Sequence, residues 1–141
     1  MSNLPNIHGY PAITRHFEIC ERLMILREKD AEEKERLCGE MIRIIPNAKK
    51  EAEEYSKRKI DCMKKFHAET GEKHPDEYYQ RYVLTIPTVN PFKILAIMYE
   101  KNGEYDKAIQ ICNEALTFPG YESDGTKGGM KGRLEKLMKK V

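Results

Sequence analysis

The stretch VNPFKILAIMYEKNGEYDKAIQICNEALTFPGYE, residues 89–122, decides the fold class. Its apolar residues recur at helical spacing on both sides of Gly103, and a glycine permits the left-handed backbone of a tight turn between helices. Asn90 followed by Pro91 is typical of a helix start, because asparagine caps free backbone N–H groups and proline suits the first turn. The pattern predicts two antiparallel helices, 91–102 and 105–117.

The same residues resemble one tetratricopeptide repeat, a helical hairpin of about 34 residues. Two positions depart from that family's pattern, since Cys112 stands where an aromatic residue is usual and Pro119 falls one residue early. The resemblance implies a right-handed superhelix of antiparallel hairpins. The positions that would pack such a repeat are Phe92, Leu95, Ala96, Tyr99, Gly103, Ala108, Cys112, Ala115 and Pro119.

The resemblance also implies a binding surface. In tetratricopeptide proteins the first helix of a repeat lines a concave groove that holds a peptide or a partner helix. Lys93 matches a lysine that some members use to clamp a carboxylate, but their neighbouring asparagine is Ile97 in this chain, so a partially apolar peptide fits better. The chain's own N-terminal helices could instead cover this surface. The groove positions by resemblance are Asn90, Lys93, Ile97, Glu100 and Lys101.

Outward from this stretch, no segment shows a strand pattern, and the predicted class is all-α. We expect a single helical domain over 1–141 that begins with an irregular arm, 1–11. A helical hairpin plus a long charged helix would follow over 12–67, with Pro46 ending the second helix, and a short helix over 75–84. Residues 16–46 are either a degenerate second repeat or unrelated to it.

GYESDGTKGG, residues 120–129, has the glycine spacing of a phosphate-binding loop, but Thr126 and Lys127 stand in reversed order and a helix precedes it. We interpret it as a joint leading to a C-terminal capping helix, 128–141. This tail also resembles those of small uncharacterised bacterial repeat proteins. The apolar face of the helix could cap its own chain or pair with a second copy; it carries Met130, Leu134, Leu137, Met138 and Val141.

The sequence predicts no catalytic residue, no metal site and no cofactor. His16 and Cys20 are four residues apart, but no further ligands accompany them, which favours a core cysteine beside a surface histidine. His67 is five residues beyond Cys62, a spacing that points the two apart on a helix. The four cysteines are predicted to be reduced core residues; they are Cys20, Cys38, Cys62 and Cys112.

The balance of 25 Lys and Arg against 23 Asp and Glu is typical of a mixed-charge helical surface. With no signal peptide and no apolar run of membrane-spanning length, the expected location is cytoplasmic. We expect a protein–protein interaction module whose partner is an unidentified protein or peptide, with a homodimer as an open possibility. The alternative is a module that binds nucleic acid through helix 47–67 and the basic tail. An enzyme without a recognisable motif ranks third.

Overall fold

A computed structural model of the chain describes residues 9–86 and 89–141. These residues form α-helices and short 3₁₀ helices and contain no strand, which confirms the all-α class. None of the helices among them is both long and apolar enough to span a bilayer. The elements are α1 (Pro11–Ile25), a 3₁₀ helix (Glu28–Asp30), α2 (Ala31–Thr70), a 3₁₀ helix (Asp76–Tyr82), α3 (Pro91–Lys101), α4 (Tyr105–Thr117) and α5 (Gly129–Met138).

The chain divides into two compact units. The first unit combines the described residues up to Cys20 with those from Ile44 to Ile86. The second unit combines Glu21–Arg43 with the described residues from Val89 onward. Both α1 and α2 contribute residues to both units.

The second unit is built on the α3–α4 hairpin. Asn90 caps α3 by accepting a hydrogen bond from the Lys93 backbone N–H at 3.1 Å, and Pro91 occupies the first turn. Gly103 has a φ of 76°, and the N–H of Glu104 returns to the Tyr99 carbonyl at 2.8 Å, which closes the turn. The predicted helix start at Asn90–Pro91 and the left-handed turn at Gly103 are therefore confirmed.

Small and aromatic residues fill the space between α3 and α4. Ala96 and Ala108 are completely buried, so the two backbones approach closely. Phe92 is also completely buried, and its ring lies 5.0 Å from Phe118 and 5.7 Å from Tyr121, between centroids. Of the other predicted packing positions, Leu95, Tyr99, Cys112 and Ala115 are buried as well, whereas Gly103 and Pro119 are exposed.

The predicted apolar face of the C-terminal helix is only partly buried. Met130 and Leu137 are covered by the fold, and Leu134 is half-buried. Met138, the last residue of α5, and Val141, which lies beyond the helix, are exposed. Met130 is fully enclosed, so it cannot contribute to pairing with a second copy.

The first unit is stabilised by hydrogen bonds near the ends of its helices as well as by apolar packing. The Glu51 carboxylate accepts from the backbone N–H groups of Ala12 at 3.0 Å and Ile13 at 3.3 Å, which satisfies the free donors at the start of α1. Ser56 accepts from the Leu84 N–H at 2.7 Å and so ties the segment after the 3₁₀ helix to α2.

Two expectations about this part of the chain need correction. Pro46 does not end a helix, because it lies inside the single helix α2. Its ring costs a helix about 3 kcal/mol, and the burial of Ile45 and Ala48 on either side opposes that cost. The predicted helix at 75–84 is a 3₁₀ helix over Asp76–Tyr82. Of the predicted irregular arm, residues 1–8 lie outside the described part of the chain.

Candidate functional site

A groove of about 440 Å³ lies in the second unit, along one side of α3. The half-buried residues Ile94, Ile97 and Met98 form its apolar wall. The facing wall comes from the chain between α1 and α2 and from the first turn of α2. The groove is lined by Glu28, Ala31, Lys34, Ile94, Ile97, Met98, Lys101 and Asn102.

The rim of the groove carries two lysines against one carboxylate. Lys101 Nζ lies 2.7 Å from Glu28 Oε1, and the hydrogen bond and charge of Lys101 lower the pKa of Glu28. Lys34 lowers it further. Glu28 therefore stays ionised, and the rim has an excess of one positive charge.

A buried tyrosine connects the two walls. Burial raises the pKa of Tyr99 to about 12, and the charge and hydrogen bond of Glu35 raise it in the same direction. The phenol therefore stays protonated at neutral pH and links α3 to the second turn of α2. The groove consequently has walls that are fixed to one another within the second unit.

The five residues predicted to line a groove lie in four different places. Ile97 and Lys101 lie in the groove described above. Asn90 is a helix cap whose amide also donates to the carbonyls of Tyr121 and Ser123, at 3.2 and 3.1 Å. Lys93 is half-buried, with its Nζ 4.0 Å from the position of a Cβ added at Gly125.

Glu100, the fifth predicted residue, lies in a second depression of about 600 Å³ beside the start of α5. Its carboxylate pairs with Lys140 at 2.6 Å. The basic residues of this depression are Lys127, Arg133 and Lys136. Sequence reasoning did not identify the facing wall of the main groove, because residues 28–34 are separated from α3 by some sixty positions.

The stretch GYESDGTKGG connects α4 to α5 and is organised around the buried carboxylate of Asp124. This carboxylate accepts from the Thr126 backbone N–H at 2.9 Å and from the Thr126 hydroxyl, and it pairs with Arg133 at 2.9 Å. Burial alone would raise the pKa of Asp124, but these donors outweigh burial and lower it to about 2. The Asp124 carboxylate is thus satisfied within the chain.

The His16–Cys20 pair corrects one expectation. His16 is not a surface residue but is completely buried, with Nδ1 3.6 Å from Cys20 Sγ. Burial lowers the pKa of His16 and raises that of Cys20 to about 11, so both side chains are neutral at pH 7.

The other cysteines are also free thiols. Burial raises the pKa of Cys38 to about 12 and that of Cys112 to about 11. Cys62 is exposed, so the prediction that all four cysteines are core residues is wrong for this one.

Comparison of the chain with protein-family models, with curated proteins and with solved structures finds no match.

Proposed function

We propose that the chain is a protein–protein interaction module whose second unit holds a short segment of a partner protein. The segment that fits carries apolar side chains and a carboxylate. The single observation that carries the proposal is the groove beside α3, with Ile94, Ile97 and Met98 along one wall and two lysines at its rim. The partner's apolar side chains would displace water from these residues, and its carboxylate would meet Lys34 and Lys101.

The dimensions of the groove support a peptide as the ligand. Its volume of about 440 Å³ falls in the range of roughly 300–1,000 Å³ that ligand sites occupy. A space of this size accepts a few side chains of an extended or helical segment. Apolar residues on the wall provide affinity, while the charged rim fixes the direction of the bound segment.

The tetratricopeptide resemblance of residues 89–122 supports the same proposal. In such repeats the first helix of the hairpin lines the binding groove, and here that helix is α3. Extending the resemblance, we assign a right-handed superhelical arrangement to the hairpins, with α5 as the capping element. Carboxylate recognition would differ from the family pattern, because Lys34 and Lys101 rather than Lys93 flank the groove.

The experiment begins with a displayed library of random peptides selected on the purified chain. The selected peptide is then labelled, and its affinity is measured by fluorescence anisotropy. We expect Ile97→Asp to weaken binding by more than tenfold, since it places a charge on the apolar wall. Lys101→Glu should weaken binding several-fold.

Lys131→Glu is the matched control, because Lys131 is an exposed lysine of α5 outside the groove whose reversal changes the net charge equally. A peptide that binds Ile97→Asp and Lys101→Glu as tightly as the unchanged chain would contradict the proposal, and so would a selection that enriches no peptide. In a parallel experiment, the binding of a generic oligonucleotide to the same variants is measured. Oligonucleotide binding that weakens steeply with salt and ignores Ile97→Asp would favour the nucleic-acid alternative.

A further inference from the structure

Three metal-ligand side chains converge where the chain turns after α2, in the first unit. His67 lies in the last turn of α2, Gly71 has a φ of 79°, and the chain then reverses to bring Glu72 and His74 against it. Within the part of the chain that the structure describes, these three form the one group of at least three His, Cys, Asp or Glu side chains whose ligand atoms all lie within 4.8 Å of one another.

Two of the three distances between the ligand atoms are close to those around a small ion. His67 Nε2 lies 3.2 Å from Glu72 Oε2, and His74 Nε2 lies 3.8 Å from the same oxygen. Two ligand atoms bound tetrahedrally to zinc, with bonds of about 2.0–2.1 Å, are separated by about 3.3 Å. The three side chains can therefore reach one ion with small movements.

The His74 ring has a polar atom whose hydrogen-bonding capacity is unused. Its Nε2 atom is buried and has no hydrogen-bond partner. A buried polar atom without a partner costs folding free energy. A metal ion at the centre of the cluster would satisfy this nitrogen.

Neighbouring aromatic residues hold both imidazoles in place. The Tyr79 hydroxyl lies 2.9 Å from His67 Nδ1. When Nδ1 carries the proton and donates it to this hydroxyl, Nε2 presents a lone pair to the cluster, as metal-binding histidines commonly do. The His74 ring stacks on Tyr78, with 3.7 Å between centroids and 11° between planes.

We propose that His67, Glu72 and His74 bind one divalent zinc ion. Two imidazole nitrogens and one carboxylate form a donor set that zinc accepts, whereas magnesium and calcium prefer oxygen ligands alone. The His67 side chain is 5% exposed and that of Glu72 is 58% exposed, so the cluster is closed on one side and reached by solvent on the other. Water would complete the coordination on the open side. The ion would fix the end of α2 to the 3₁₀ helix that follows it.

The test is calorimetric titration of the full-length, reduced chain with zinc chloride after treatment with a chelator. We expect one ion per chain, a higher melting temperature with zinc, and no competition from magnesium. His74→Phe keeps a ring against Tyr78 but removes the nitrogen, and it should weaken binding by at least about tenfold. Glu72→Gln removes the carboxylate at an exposed position and should weaken binding similarly.

Two control variants keep the result specific. Glu69→Gln removes an exposed carboxylate from the same turn of α2 and should leave zinc binding unchanged. Cys62→Ser removes the exposed thiol and should also leave it unchanged. Zinc binding that survives both His74→Phe and Glu72→Gln, or that disappears in Cys62→Ser, would overturn the proposal, as would a chain that takes up no zinc at micromolar concentration. If His74→Phe does not fold, as judged by circular dichroism, Glu72→Gln decides the question.

Discussion

The α3–α4 hairpin and the His67–Tyr82 segment show two different ways of holding a chain together. The hairpin is closed by apolar groups, with Phe92, Ala96 and Ala108 completely buried. The His67–Tyr82 segment is held by aromatic ring contacts and a carboxylate, and its polar atoms face one another. Apolar burial alone stabilises the α3–α4 hairpin. The His67–Tyr82 segment, in contrast, keeps polar atoms that can bind a ligand.

Phe92→Ala should cause the largest loss of folding stability, and it tests whether apolar burial stabilises the hairpin. Removing a completely buried phenyl ring destabilises a protein by about 3–5 kcal/mol, because transfer free energy is lost and a cavity remains. Phe66→Ala is the control, since Phe66 is 52% exposed and lies next to His67. Its cost should stay below about 1 kcal/mol. Urea unfolding measures the free energy of unfolding of both variants. Equal losses in the two would contradict the role of buried packing in the hairpin.

Asp124→Ala should rank next and tests the polar joint between α4 and α5. The change leaves Arg133, which is 18% exposed, without its carboxylate, at an expected cost of about 2–4 kcal/mol. The control is Glu54→Ala, which breaks an exposed ion pair with Arg58 in the first unit and should cost less than about 1 kcal/mol.

The same variant has a predictable pH dependence. The pKa of Asp124 is lowered to about 2, so the folded state favours the ionised carboxylate. Its contribution is present above the unfolded pKa of about 3.9 and is lost as the pH falls towards 2. Asp124→Ala should therefore flatten the stability curve between pH 4 and pH 2. If stability declines between pH 4 and pH 2 as steeply in the variant as in the unchanged chain, the role of the buried ion pair is contradicted.

Gly129→Ala should have a smaller effect and tests the backbone at the start of α5. Gly129 has a φ of 62°, and a Cβ there would lie 2.8 Å from the Glu122 carbonyl oxygen. We expect a loss of about 1–3 kcal/mol. Gly132→Ala, in the same helix and with open space around the added Cβ, should be neutral or stabilise by up to about 1 kcal/mol. Thermal unfolding of the pair provides the measurement, and a reversed order would contradict the turn geometry.

His16→Leu should have the smallest effect and concerns a buried polar group of the first unit. Burial lowers the pKa of His16, so the folded chain favours the neutral ring and the unfolded chain binds the proton more readily. Stability should therefore fall as the pH drops below the unfolded pKa of about 6.5. His16→Leu should make the decline between pH 6.5 and pH 5 shallower, as measured by denaturant midpoints across that range. An identical slope in the variant would show that other groups cause the decline.

The hairpin was predictable from the sequence because its determinants are local. Asn90, Pro91 and Gly103 mark its ends, and its alanines recur at helical spacing. The continuation of α2 through Pro46 was not predictable from the sequence. A proline disfavours the interior of a helix, but the burial of the residues around Pro46 opposes that cost. Local pattern thus predicts an element well when its packing partner is the adjacent element.

The candidate sites were harder to predict because each combines distant or turn-dependent residues. The sequence placed Ile97 and Lys101 on α3, but the facing wall at Glu28 comes from some seventy positions earlier. The sequence analysis compared His67 only with Cys62, a pair that points apart on the helix, whereas its neighbours Glu72 and His74 lie beyond the turn at Gly71. A histidine, a glycine turn and a second histidine within eight residues is the signal that could have indicated the cluster.

The most direct test of the peptide groove is a methyl NMR titration of the chain, labelled at isoleucine and methionine, with a peptide selected on it. We expect the largest chemical-shift changes at the methyl groups of Ile94, Ile97 and Met98. The buried Ile13 and Ile19 of the first unit should not move. Changes concentrated at Ile13 and Ile19, with the methyl groups of α3 unaffected, would contradict the groove as the binding site.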